Sequence, residues 1–168
     1  MKNISAKNSR TLPSSMRTIT SDSTTRSLLP IDTRPIYLQR GLTKKNMEAL
    51  YLMAFKLYEA QKVEEALLCF KLMTLLDWSD KRAWLGSAAC FERIKNYTAA
   101  IGCYKAATLA DNHDPMPLFR AFHCYLEIQD KENALKALET AIQVAERQAD
   151  LYSDLKKQAE NIKKALLK

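Results

Sequence analysis

The side chains of this chain that could do chemistry are first its four cysteines and two histidines. Cys69, Cys90, Cys103 and Cys124, with His113 and His123, are the donor types of a zinc site. Structural zinc sites use close-spaced ligand pairs, and no CxxC occurs here. The cysteines fall instead into two pairs with one common spacing, Cys69 with Cys103 and Cys90 with Cys124. A spacing shared in this way marks recurring structural slots, in which a free cysteine behaves as a small buried apolar residue. No metal and no cofactor is expected. Cys124 and His123 do not make a nucleophile and its base, because adjacent residues on a helix do not face each other. His113 sits in a turn. No glycine-rich phosphate loop, nucleophile elbow or paired-carboxylate arrangement is present, so the chain is not expected to be an enzyme. The remaining chemistry is apolar recognition. Tyr51, Phe55 and Tyr58 stand at i, i+4 and i+7, one face of a helix.

The elements that position these residues are helices. The 168 residues include only three glycines and five prolines, too few for the turns of a sheet protein. The formal net charge is +7, which raises the question of nucleic acid or an anionic membrane. Lys2, Lys7, Arg10, Arg17, Arg26, Arg34 and Arg40 against Asp22 and Asp32 place most of that excess in the first 40 residues. The rest is nearly neutral, without the basic face that nucleic-acid binding requires. No stretch approaches the roughly 18 apolar residues of a membrane span, and the N-terminus lacks the apolar core of a secretory signal. Its Arg- and Ser/Thr-rich, acid-poor composition is also that of an organellar transit peptide, though its charges follow no amphipathic period. A cytoplasmic protein with reduced cysteines is expected. Residues 1–36 read as a disordered basic arm.

From Gly41 onward helical periodicity is continuous, and it repeats. Shifted by 34 residues, Ala66 meets Ala100 and Ala134; Phe70 meets Tyr104 and Leu138; Leu50 meets Trp84 and Leu118; Leu57 meets Phe91 and Tyr125; Ala54 meets Ala88. A period of about 34 with small residues where two helices cross and large ones around them is the signature of tetratricopeptide (TPR) repeats. The expected fold is all-α: an α-solenoid of three TPR helix-turn-helix units over 47–80, 81–114 and 115–148, with a capping helix over 149–168, the whole domain spanning 37–168. The cap stripe is Leu151, Leu155, Ile162 and Leu166, with Lys156, Lys157, Lys163 and Lys164 opposite. Phe122 stands where the repeat wants a small residue, which predicts splayed packing in the third unit.

In such a solenoid the first helix of each unit lines the inner face. Residues just off the core stripe point into the groove: Tyr51, Phe55 and Tyr58 in the first unit; Arg82, Leu85, Ala89 and Glu92 in the second; Met116, Phe119, His123 and Leu126 in the third. The competing reading is that the aromatic trio is core. Leu50, Met53, Ala54 and Leu57 already supply a core stripe on that helix, which leaves the trio for a partner or for residues 36–46. Three such anchors give a gross gain of ~5–9 kcal/mol, much of it consumed by association and ordering. A short peptide would bind at about micromolar affinity or weaker.

The run Met47-Glu48-Ala49-Leu50-Tyr51-Leu52-Met53-Ala54-Phe55-Lys56-Leu57-Tyr58, with Gln61-Lys62-Val63-Glu64-Glu65-Ala66, Phe70 and the Leu76-Asp77-Trp78 linker, resembles the class II chaperones of bacterial type III secretion systems. The resemblance extends through Leu85-Gly86, Ala89-Cys90, Tyr97, Ala100-Ile101 and Tyr104 and covers roughly 42–148. It implies a cytoplasmic chaperone of the two hydrophobic translocators, whose groove takes an extended segment with spaced Pro and Leu anchors. The family's aromatic groove positions match Tyr51, Phe55 and Tyr58. It also implies homodimers through an N-terminal helix; the equivalent region here, near Pro35–Thr43, is short, and a long basic arm precedes it. The alternative is a generic TPR scaffold. A scaffold for carboxylate tails would need a cationic clamp, which Phe55 and Ala89 do not provide.

Overall fold

The structure, a computed structural model, describes residues 34–166. The arm expected over 1–36 lies outside the described residues except for its last three. The described residues form eight helices: α1 (Ile36–Gln39), α2 (Lys44–Glu59), α3 (Val63–Leu76), α4 (Lys81–Arg93), α5 (Tyr97–Ala110), α6 (Met116–Glu127), α7 (Lys131–Glu146) and α8 (Ala149–Leu166). No strand occurs among them. From α2 onward each helix packs against the next, the nearest-neighbour arrangement of a TPR-like solenoid.

The repeat is visible in the backbone. Gln61, Lys95 and Gln129, spaced by the repeat, all adopt positive φ, at 63°, 58° and 61°. Each ends the first helix of its pair in a left-handed turn. The backbone N–H of the following residue then reaches back five positions: Lys62 to Leu57, Asn96 to Phe91, Asp130 to Tyr125. Asn96 and Asp130 start the next helix as side-chain caps, accepting from the N–H groups of Ala99 and Asn133. Lys62, at the same place in the first repeat, makes no such bond. The linkers between pairs repeat as well. Asp77 accepts from Ser79 N–H and Asp111 from His113 N–H; Asp80 accepts from Arg82 N–H and Asp114 from Met116 N–H. Lys81 reaches Asp111 at 2.7 Å and Asp114 at 2.9 Å, tying one linker to the next.

The small-residue slots are filled as the period requires. Ala54, Ala66, Ala88, Ala100 and Ala134 are fully buried, so the paired helices approach closely. Phe122 occupies the slot of Ala54 and Ala88 and is also fully buried, its ring stacked with Phe119 at 6.1 Å. The ring is taken into the core of the third unit. Met53 departs the other way. It was expected in the core stripe of α2, yet it is 49% exposed, because the face it shares with Leu52 and Ala49 has no preceding repeat among the described residues to cover it. Tyr37 of α1 is buried in the cluster that holds Met47, Ala54 and Phe70, so this short segment belongs to the first core.

Cys90 and Cys124 are buried, Cys69 and Cys103 half-buried, and all four are free. Burial pushes the Cys90 thiol up to about 11 and that of Cys124 up to about 12. Among the described residues no three metal-ligating side chains lie together.

α8 covers the far end through Ala159, fully buried, with Leu155 and Ile162 half-buried against the second core cluster. The four-residue cap stripe is only partly realised, since Leu151 and Leu166 are exposed. The helix kinks at Tyr152 (φ −120°, ψ 23°), which takes Leu151 out of register, and Leu166 is its last residue. Lys156 and Lys163 pair with Glu146 and Glu139 of α7, at 3.0 and 2.7 Å.

Candidate functional site

Two cavities open on the face built by α2, α4 and α6. The first, about 230 Å³, is lined by Tyr51, Phe55 and Tyr58 of α2, by Arg82, Leu85, Gly86 and Ala89 of α4, and by Phe70 of α3 at its floor. The second, about 300 Å³, is lined by Tyr58, Leu85, Ala89, Glu92, Tyr104, Met116 and Arg120. Tyr58, Leu85 and Ala89 belong to both, so the cavities form one groove. They are also the same cavity twice. Moving by 34 residues turns Tyr51, Phe55, Tyr58, Phe70, Arg82 and Gly86 into Leu85, Ala89, Glu92, Tyr104, Met116 and Arg120. Repetition of the backbone supplies the shape, and substitution at each slot supplies the chemistry.

The first cavity is aromatic. Tyr51 and Phe55 stack at 6.3 Å, and Tyr51 meets Phe70 edge-on at 6.2 Å. Phe55 is 42% exposed, a large apolar side chain left to solvent at the groove mouth. Two arginines of α4 bracket the tyrosines of α2. The Arg82 guanidinium lies 4.7 Å from the Tyr51 ring centroid and that of Arg93 lies 4.5 Å from Tyr58. Arg82 is itself fixed by two bonds to Glu48, 2.7 and 3.0 Å, and by two to Asp80, 2.9 and 3.0 Å. The hydrogen bonds to Asp80 and Glu48 push its pKa still higher, and the Arg82 bond holds the exposed Glu48 carboxyl below its ordinary value.

The second cavity is mixed. Glu92 accepts from the Cys124 thiol at 3.2 Å. Burial, and next the charge of Glu92, raise the Tyr104 hydroxyl above its usual range. Arg120 stands exposed on the opposite wall.

Of the residues singled out from the sequence, Tyr51, Phe55, Tyr58, Leu85, Ala89 and Met116 line this groove, as do Arg82 and Glu92. Phe119, His123 and Leu126 do not line either cavity. They hold the register of Tyr51, Phe55 and Tyr58, but Phe119 is buried and Leu126 packs on the same core cluster as Leu155, Ala159 and Ile162 of α8. His123 rests edge-on against Phe119 and Phe122, at 5.0 and 4.9 Å, with its outer side exposed. Gly86 and Arg120, one slot of the repeat, escaped the sequence reading, as did the groove-floor role of Phe70 and Tyr104. Gly86 carried a signal: it is a glycine inside a helix, which costs stability unless something must lie close to it.

Repeated helical hairpins with an aromatic groove on one face define a TPR-like helical solenoid. No family model matches the chain. The Low calcium response locus protein H of Yersinia pestis is 31% identical over 103 residues, covering 60% of this chain and 61% of that relative, so the match spans about three fifths of its length. PcrH of Pseudomonas aeruginosa, solved in complex with the chaperone binding region of PopB, is 30% identical, with 72% of this chain and 97% of that chain covered and a TM-score of 0.66. The type III secretion translocator chaperone SycD of Yersinia enterocolitica is 26% identical, covering 79% and 98%, with a TM-score of 0.70. The chain belongs to the type III secretion translocator chaperones.

Proposed function

We propose that this protein is a cytoplasmic, non-enzymatic chaperone that holds an extended apolar segment of a type III secretion translocator in the groove of α2, α4 and α6 and keeps that client soluble for export. The observation that carries this is the aromatic cavity of Tyr51, Phe55, Tyr58 and Phe70, which continues along the groove through Leu85 and Ala89 to Met116. An aggregation-prone client is masked by burying its apolar anchors in such a groove. Phe119, His123 and Leu126, which hold the register of the α2 trio on α6, extend this partner-binding face beyond the two cavities. The binding domain is 37–168, with units 47–80, 81–114 and 115–148 and the cap at 149–168. The PcrH complex with PopB supports this client class. No helix among the described residues is long and apolar enough to cross a membrane.

Co-expression with the large apolar proteins encoded beside its gene tests the reading. The chain should keep one of them soluble, and Tyr51→Ala with Phe55→Ala should return it to the pellet. Equal solubility with the double variant would remove the groove from the mechanism.

A further inference from the structure

The groove changes character along its length, and the change suggests how a client is read. An extended segment brings more than side chains: each residue also carries a backbone N–H and C=O that must find partners when covered. The first cavity is poorly equipped for this, being mostly aromatic and aliphatic surface. The second has an acceptor, Glu92, on the α4 wall and a donor, Arg120, on the α6 wall. A carboxylate offers about four acceptor positions. The Cys124 thiol takes one of them from the protein side, which leaves positions for a ligand. With opposite charges on facing walls, the cavity has no strong preference for a charged guest of either sign and suits a group that both donates and accepts.

Resting on the chaperone reading above, we infer that the Glu92–Arg120 cavity binds a main-chain amide of the client, its N–H donating to Glu92 and its C=O accepting from Arg120, while the neighbouring Tyr51–Phe55–Phe70 cavity takes an apolar side chain. The two cavities then divide the work. The aromatic one selects residue type, and the charged one grips any extended segment whatever its sequence. This lets one chaperone serve clients of different sequence.

The probe is a synthetic peptide spanning the chaperone binding region of PopB, together with a series in which single amides are replaced by esters. An ester removes one N–H and weakens one carbonyl acceptor without altering a side chain. One ester should bind the unsubstituted chain about tenfold more weakly than the parent, the scale of a hydrogen bond to a charged group. That penalty should largely vanish against Glu92→Ala. Glu92→Gln, which keeps a neutral acceptor, should bind the parent within about threefold. Arg120→Ala, a change at an exposed side chain, should weaken the parent about five- to tenfold without altering the melting temperature. The assignment is overturned if every ester binds like its amide, or if Glu92→Gln loses as much as Glu92→Ala, since the latter would mean a cationic side chain is read instead. If the parent fails to bind the unsubstituted chain, the client class fails and this assignment with it. If it binds and Tyr51→Ala with Phe55→Ala abolishes that binding, the groove reading stands and the ester series alone decides.

Discussion

The ring of Phe70 lies against the bare Cα of Gly86: a Cβ at that position would collide with Cε1 and Cδ1 of the ring. The floor of the first cavity therefore exists because α4 has no side chain there. Gly86→Ala gains helix propensity, about 1 kcal/mol, but forces a 2% exposed ring to move within a packed core. The net expectation is a loss of about 1–2 kcal/mol by denaturant titration, together with weaker client binding. Gly86→Ala with Phe70→Leu should recover the stability. An unchanged melt for the single variant would show that the ring yields freely.

Arg82 holds Tyr51 in place while Glu48 and Asp80 hold Arg82. Arg82→Gln should weaken client binding by about 0.5–1 kcal/mol, the size of an exposed cation–π contact. Calorimetry at low and high salt checks this: the gap between the two proteins should shrink as salt screens the Glu48 pair.

Lys62 occupies the slot that Asn96 and Asp130 use to cap a helix, yet it caps nothing. Lys62→Asp should restore the missing cap of α3 and raise stability by about 1 kcal/mol. Thermal or urea unfolding measures it, and no gain would mean that the turn cannot present the carboxylate to the third N–H.

Lys95 sits at φ 58°, a conformation that burdens any residue with a Cβ. Lys95→Gly should stabilise the protein by about 0.5–1 kcal/mol, the relief exceeding the entropy that glycine adds to the unfolded chain. The same exchange at Thr98, inside α5, is the control and should destabilise.

Burial against Phe119 and Phe122, and next the charge of Arg120, hold His123 below its ordinary 6.5. The unfolded chain thus takes up this proton before the folded one. Stability from this residue is complete above about 6.5 and declines as pH falls through 6.5 toward the lower folded value. His123→Gln should flatten that part of a stability–pH curve; an unaltered slope would assign it to other groups.

The period was legible in the sequence because the small-residue slots cannot vary without pushing helices apart, and Ala66, Ala100 and Ala134 do not vary. The groove walls from α2 were legible because i, i+4, i+7 spacing is a property of one helix. The wall from α4 and α6 was harder. Gly86 and Arg120 share a slot with Leu52, and three residues so unlike carry no common signal; only the packed structure shows that this slot faces the preceding repeat's groove. Phe70 reads equally as core and as floor, and it is both. Phe119 follows Tyr51 and Leu85 in register but is buried, because its environment depends on Phe122 and α8, which no spacing within α6 reveals.

The cysteines have one more consequence. A thiol that is buried and held protonated cannot be alkylated until its surroundings open. Cys90 of α4 is buried in the first core cluster and Cys124 of α6 in the second, while the half-buried Cys69 and Cys103 sit in the second helix of the first and second pairs. The order in which these four thiols become trapped is therefore a native clock of which repeat loosens first, and client binding should stop that clock most firmly where the client grips.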